Sequence, residues 1–314
     1  MDRPTERGQP VLVLLGPTAA GKTSVAIDLA IRLPGEVISA DSRAFFAGLD
    51  IVTDKPSEAE RFGVLHHLID IASVGRTYDA MAFRRDVARL VPEIGDRARV
   101  PVVAGGGTVY LGAILRGIFE GPAKDDAVRE DLSKRRIEEM YERLREIDPT
   151  AASKIHSNDR LRITRALEVH TLTGRPISAW QTEAEPLPFR FFVTGLQRDR
   201  SDHRAAIAAR VQRMIDRGLL NEVQRLLDEG LDASCQAYRT IGVPEAIACL
   251  EGQVTEDEMK QRMIHRTWAL ARKQMAFFRR ESDVHWCDVT GRTASEVARE
   301  ILMAWERFTE ANDA

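Results

Sequence analysis

With 314 residues, 44% of them hydrophobic and 30% charged, the chain can form one large α/β domain or a domain carrying a smaller second unit, and its composition excludes bulk disorder and low-complexity repeats. A formal net charge of −3 excludes a global basic field, so any nucleic-acid contact must come from locally clustered Arg and Lys. The three cysteines, Cys235, Cys249 and Cys287, include no Cys-x-x-Cys pair, and free thiols in a reducing compartment are expected.

The first ten residues, MDRPTERGQP, are polar and do not read as a signal peptide, and no apolar run approaches the ~20 residues of a membrane span. The expectation is a soluble cytoplasmic protein with no membrane partner, and nothing demands more than a monomer. Residues 11–15, VLVLL, predict a buried parallel strand. The next eight, Gly16-Pro17-Thr18-Ala19-Ala20-Gly21-Lys22-Thr23, satisfy G-x-x-x-x-G-K-[ST], with a strand before and a helical pattern over 24–33 after. Such a loop turns backbone N–H groups and a helix N-terminus onto linked phosphates. Lys22 then pairs with the phosphates, and the Thr23 hydroxyl holds Mg²⁺.

A second strand is predicted at 36–40, and Asp41 stands at its C-terminal end, the edge where open α/β sheets bind ligands. Asp41 reads either as a general base or acceptor beside the phosphates, or, with Ser42, as the cap of a following helix. His66 and His67 are adjacent in an extended segment with no ligand-spaced partner, so no metal site is assigned there. A helix is predicted near 78–95 and a third strand at 100–104, ending in Gly105-Gly106-Gly107-Thr108. Three successive glycines permit close backbone approach to a ligand, against the plainer reading of a turn. Strands alternating with helices predict an α/β fold with a parallel sheet covered on both faces.

From 122 to 187 the sequence is charged and helical in pattern, with no convincing strand, which predicts a helical insertion between a core of 1–121 and 188–314. Within it Asn158-Asp159 reads as an N-cap and Gly174 with Pro176 as an end, so Arg162 and Arg165 share a helix face that is either phosphate-binding or merely solvated. Residues 191–196 restore a strand. A long C-terminal helix opens with the capping-box spacing of Thr255 and Glu258; on it Arg262, Arg266, Lys273 and Arg280 form a basic stripe opposite a packing face that includes Met263, Thr267, Leu270, Ala271 and Phe278.

Together these residues resemble the tRNA dimethylallyltransferase family over about 11–288. The resemblance is carried by GPTAAGKT, ISADSRAFFAGLDIVTDK at 38–55, HHLID at 66–70, the Asp-x-x-Val-Arg segment ending at Arg129, NDRLRITRALEVHTLTGRPIS at 158–178 and ARKQMAFFR at 271–279. It implies a P-loop kinase-like parallel sheet core with a helical insertion and long C-terminal helices. It also implies that the P-loop and Mg²⁺ hold dimethylallyl diphosphate rather than serving ATP hydrolysis. The residue matching Asp41 would deprotonate the exocyclic amine of a flipped-out adenine, and Lys22 and Thr23 would neutralise the leaving diphosphate. The matching tRNA path runs along Asp41, Ser42, Arg43, Ala44, Gly107, Thr108, Arg129, Leu161, Arg162, Ile163, Thr164, Arg165, Arg239, Thr240, Ile241, Gly242, Val243 and Pro244. The chain departs from the family pattern at Ala44-Phe45-Phe46, at Val52 and at Gly107. Transfer to free AMP or ADP, and an NTP-dependent kinase, are the competing readings.

Overall fold

The computed structural model describes residues 8–313. The chain divides into two compact units, one of residues 1–111 with 188–314, the other of residues 112–187. The helical unit thus begins at 112, upstream of the expected 121/122 boundary. The reason is local: the backbone N–H of Leu187 bonds to the carbonyl of Ile114 at 3.0 Å, tying the start of the segment to its end.

The first unit contains β1 (Pro10–Leu15), α1 (Lys22–Arg32), β2 (Gly35–Ser39), β3 (His66–His67), α2 (Ala80–Asp96), β4 (Val100–Gly105) and α3 (Thr108–Leu115), the last crossing into the second unit. The helical unit continues with α4 (Asp126–Ser133), α5 (Ile137–Ile147), α6 (Pro149–Ala152), α7 (Arg160–Thr173) and α8 (Ile177–Gln181). The chain then returns to the first unit through β5 (Arg190–Gln197), α9 (Arg200–Asp216), α10 (Leu219–Asp228), α11 (Val243–Leu250), α12 (Glu256–Phe278), β6 (His285–Asp288) and α13 (Ala294–Asp313). No described helix is long and apolar enough to cross a membrane.

The six strands form one sheet in the order β3-β2-β4-β1-β5-β6, and every pairing is parallel. Residues 11–15 of β1 are wholly buried because parallel sheets are covered on both faces. Leu12, Leu14 and Leu29 pack with Val297, Ile301 and Trp305 of α13 in one core cluster. A second cluster joins Phe46, Leu49 and Val52 to residues of α9 to α12. The helical unit has its own core, centred on Leu132, Met140, Leu144, Ile163 and Val169. β3 and β6 were not expected. Both are short edge strands: β3, two histidines, pairs only with Val37 and Ile38, and β6 pairs only with residues 194–197 of β5.

Candidate functional site

The phosphate loop lies between β1 and α1. Gly21 caps α1 in the left-handed conformation, φ 85°, and Ala19 is also left-handed at φ 61°. No acidic residue occupies the first turn of α1, so its positive end is uncompensated by the chain itself. Thr18 is held from three sides: its N–H donates to Oε1 of Gln274 at 2.9 Å, its hydroxyl accepts from Nη1 of Arg210 at 2.8 Å, and its carbonyl accepts from Nε2 of His203 at 2.8 Å. Because a carbonyl can only accept, His203 carries its proton on Nε2. Arg210 also donates to the carbonyl of Thr53 and pairs with Asp54 at 3.0 Å, joining the phosphate loop to residues 53–54. That second loop is pinned by buried Glu222, whose carboxylate accepts the N–H groups of Asp50, Ile51 and Val52 at 2.7–2.9 Å.

A cavity of about 470 Å³ opens on this loop, lined by Lys22, Thr23, Asp41, Arg198, Arg210 and Arg213 among others. Lys22 donates to the Pro17 carbonyl at 2.8 Å. Burial pulls its ammonium down to about 8, Asp41 acts in the opposite direction, and Arg210 lowers it further. Lys55 lines the same cavity but is already satisfied by Phe46, Asp50 and Asp70. The excess of cations suits a linked-phosphate ligand. The exposed Thr23, with Ser39 and Asp41, presents hard oxygen donors to the cavity, and that is the donor chemistry Mg²⁺ selects; Asp54 is taken by Arg210.

Asp41 lies beyond the end of β2, and its Oδ1 accepts the Arg43 N–H at 2.9 Å. A turn follows rather than a helix, which removes the helix-cap reading. Arg43 reaches away to the carbonyl of Gln236 at 2.8 Å. A second cavity, about 310 Å³, adjoins the first: Thr18, Asp41, Thr53, Gly106, Arg210 and Gln274 line both. Arg43, Thr108, Tyr110 and the exposed Arg239 line only the second, as do Thr240 and Ile241. Asp41 therefore faces the phosphate loop on one side and a separate, partly apolar recess on the other.

The glycine run, which lines the cavities, is also required by the protein's own packing. A Cβ at Gly105 or Gly107 would sit 2.3 or 2.6 Å from the Ala40 carbonyl oxygen, and one at Gly106 would sit 2.6 Å from Nε2 of Gln274. The close approach is to the protein's own backbone and to Gln274. Phe45 and Phe46, fully buried, are core residues: Phe45 packs against Tyr78, Phe83 and Tyr110. Val52 occupies space left by Gly242, where a Cβ would meet Val52 Cγ2 at 2.5 Å.

Several expected tRNA-path residues prove to be interior. Ile163 and Val243 are fully buried and Ala44 nearly so, so their side chains serve packing. Gly242 is also buried, while Ser42, Thr164 and Pro244 are half-buried. Arg129 and Arg165 both turn onto Glu168, which is fully buried: Arg129 grips both carboxylate oxygens at 2.7 and 3.0 Å, and Arg165 bonds one at 2.7 Å. Burial pushes the Glu168 carboxyl up, but the two guanidinium groups and the Asp125 N–H outweigh it and hold the group at about 2. Arg129 and Arg165 are therefore half-buried and engaged by Glu168 within the helical unit, whereas Arg162 and Leu161 remain exposed.

The basic stripe of the C-terminal helix shortens, because α12 ends at Phe278 and Arg280 lies past it. Arg266 is paired with the buried Glu245, and Leu270 is exposed rather than packed. Gln274, Arg210, His203 and Glu222 were not singled out from sequence. For Gln274 a sign existed: with Met263, Thr267, Ala271 and Phe278 it occupies the buried stripe of α12, and a buried amide requires partners.

A family model described as IPP transferase matches residues 44–281. The tRNA dimethylallyltransferase of Thermomicrobium roseum is 41% identical over 287 residues, covering 90% of this chain and 87% of the relative. That of Thermotoga maritima is 38% identical over 93% of this chain and 96% of its own. Among solved structures, the full-length tRNA isopentenylpyrophosphate transferase of Bacillus halodurans is similar with a TM-score of 0.72 and 31% identity, covering 99% of this chain and 100% of that one. A eukaryotic dimethylallyltransferase, solved in snapshots of its action on tRNA, is similar with a TM-score of 0.77 and 25% identity, over 90% of this chain and 74% of that one.

Proposed function

The chain belongs to the tRNA dimethylallyltransferase family, and from that premise we propose that its acceptor is the N6 amine of the adenosine on the 3′ side of the tRNA anticodon, giving isopentenyladenosine. The protein is an enzyme that moves a dimethylallyl group from dimethylallyl diphosphate onto tRNA. The observation that carries the finer reading is that Asp41 lines both adjoining cavities. A diphosphate at the P-loop and an adenine in the recess beside Arg239 would meet at Asp41.

In this reading the adenine N6 attacks the allylic carbon C1 of dimethylallyl diphosphate. The N6–C1 bond forms as the C1–O bond breaks, the departing electrons go to diphosphate, and the N6 proton passes to the Asp41 carboxylate. Lys22 and the N–H groups at the start of α1 take up the charge that develops on the diphosphate oxygens. Thr23 would hold Mg²⁺, which when bound neutralises part of that charge. The base has to leave its stack to reach the recess, at a cost of a few kcal/mol. The exposed Arg162 and Arg239 are the side chains best disposed to meet RNA, each within its own unit. The proposed setting is the cytoplasm, with the protein as a monomer.

Purified protein, Mg²⁺, dimethylallyl diphosphate and unmodified tRNA should yield isopentenyladenosine after digestion to nucleosides. Absence of that nucleoside from every tRNA offered, or its preferential appearance on free AMP in competition, would overturn the assignment.

A further inference from the structure

We propose that His285, Cys287 and Glu300 form a binding site for a divalent cation of the zinc class, independent of the transfer reaction. None of the three lines either cavity of the candidate site. β6 carries His285 and Cys287 two residues apart, hence on one face of the strand, and α13 supplies Glu300. One ligand atom from each, an imidazole nitrogen, a thiol sulfur and a carboxylate oxygen, lies within 4.8 Å of the others.

The surroundings favour a cation over a chance meeting of three side chains. Nε2 of His285 is shielded from solvent and has no hydrogen-bond partner among the described residues; it lies 3.8 Å from Oε1 of Glu300. The other carboxylate oxygen, Oε2, is occupied by Arg292 at 2.7 Å, and Arg292 also donates to the Asp288 carbonyl. That arrangement orients Glu300 with Oε1 toward the imidazole, the role an outer-shell partner plays at metal sites. Cys287 is buried, with the Thr194 hydroxyl 3.8 Å from its sulfur. Nitrogen, sulfur and oxygen together suit Zn²⁺, whereas Mg²⁺ and Ca²⁺ take oxygen donors.

Around a tetrahedral Zn²⁺ the ligand atoms stand about 3.3–3.8 Å apart, so closure requires side-chain shifts of roughly 1 Å. On binding, the Cys287 thiol releases its proton to solvent, the neutral imidazole donates the Nε2 lone pair, Glu300 binds as carboxylate, and water takes the fourth position. The bound ion would tie edge strand β6 to α13.

The test is titration of metal-stripped protein with Co²⁺, followed by displacement with Zn²⁺. A thiolate-to-cobalt absorption band saturating at one equivalent, and a higher melting temperature with Zn²⁺, are expected. Cys287→Ser should abolish the band, and Glu300→Gln should weaken affinity at least about tenfold. Glu300 is partly exposed, so the second variant keeps the test decisive if the first does not fold. A Cys235→Ser/Cys249→Ser double variant should bind as the parent does, and dimethylallyl transfer should be unaffected by Glu300→Gln. No band, or a band that survives Cys287→Ser, would overturn the proposal whatever the outcome of the tRNA assay.

Discussion

Gln274 accepts the backbone N–H of Thr18 through Oε1 at 2.9 Å and donates to the carbonyl of Gly106 through Nε2 at 2.8 Å, so one amide joins the phosphate loop to the glycine run after β4. Both connections are long in sequence and partly or wholly buried. Gln274→Leu keeps most of the volume and orphans both backbone groups, at about 1–3 kcal/mol each. A rise of roughly tenfold in KM for dimethylallyl diphosphate is expected, since about 1.4 kcal/mol of loop misplacement suffices. Steady-state kinetics at fixed tRNA give the answer, and an unchanged KM would detach Gln274 from the loop's function.

Lys22 makes a second prediction, this one in pH. Its ammonium is lowered to about 8, first by burial, with Asp41 opposing and Arg210 adding to the shift. Below that pH the lysine is charged and attracts diphosphate; above it the charge is lost. In the free enzyme kcat/KM for dimethylallyl diphosphate should therefore fall about tenfold per pH unit above about 8. Lys22→Arg cannot deprotonate in that range and should lose the alkaline limb even though its absolute rate is lower. Persistence of the limb in that variant would assign it to another group.

The sheet centre, α1, α7 and α12 were legible because apolar periodicity, a glycine-lysine loop and caps coincide there. β3 and β6 were not, because the pairs and quartets HH and HWCD carry no apolar run and acquire strand geometry only from Val37, Ile38 and residues 194–197 beside them. In the candidate site, local motifs marked Lys22, Thr23 and Asp41. The side chains that brace the surrounding loops, His203, Arg210 and Gln274 on Thr18 and Glu222 on residues 50–52, act across 170 to 256 residues of chain, and no spacing rule reaches that far. Family likeness pointed to Arg129 and Arg165 as RNA contacts; it could not show that Glu168 already engages both.

That engagement predicts how the helical unit responds to acid. The Glu168 carboxyl lies at about 2 when folded against an ordinary 4.5, because the Arg129 and Arg165 bonds outweigh burial. A lowered carboxyl stabilises the fold fully above pH 4.5 and loses that contribution as pH falls from there toward 2. Glu168→Gln should flatten this acid dependence and cost about 3 kcal/mol at neutral pH, since two guanidinium groups would lose their anion. Urea unfolding followed by circular dichroism between pH 7 and pH 3 checks both. Parallel slopes for the parent and the variant would mean that the triad is not what acid attacks.

Asp41→Asn separates the two duties assigned to this side chain. The amide retains an oxygen to accept the Arg43 N–H, so the turn after β2 should survive, whereas the capacity to take the N6 proton is lost. At pH 7 single-turnover transfer should fall by about 10²–10⁴, the range of a general base, with dimethylallyl diphosphate affinity changed only severalfold. A further consequence follows for Lys22. Asp41 raises the Lys22 ammonium against the effect of burial, so its removal should shift the alkaline limb of the kcat/KM profile below about 8. A rate loss with an unmoved limb would keep Asp41 as base but discard its electrostatic link to the phosphate loop. A limb that moves while transfer stays within tenfold of the parent would do the reverse, leaving Asp41 as a charge that tunes Lys22 and giving the proton another destination.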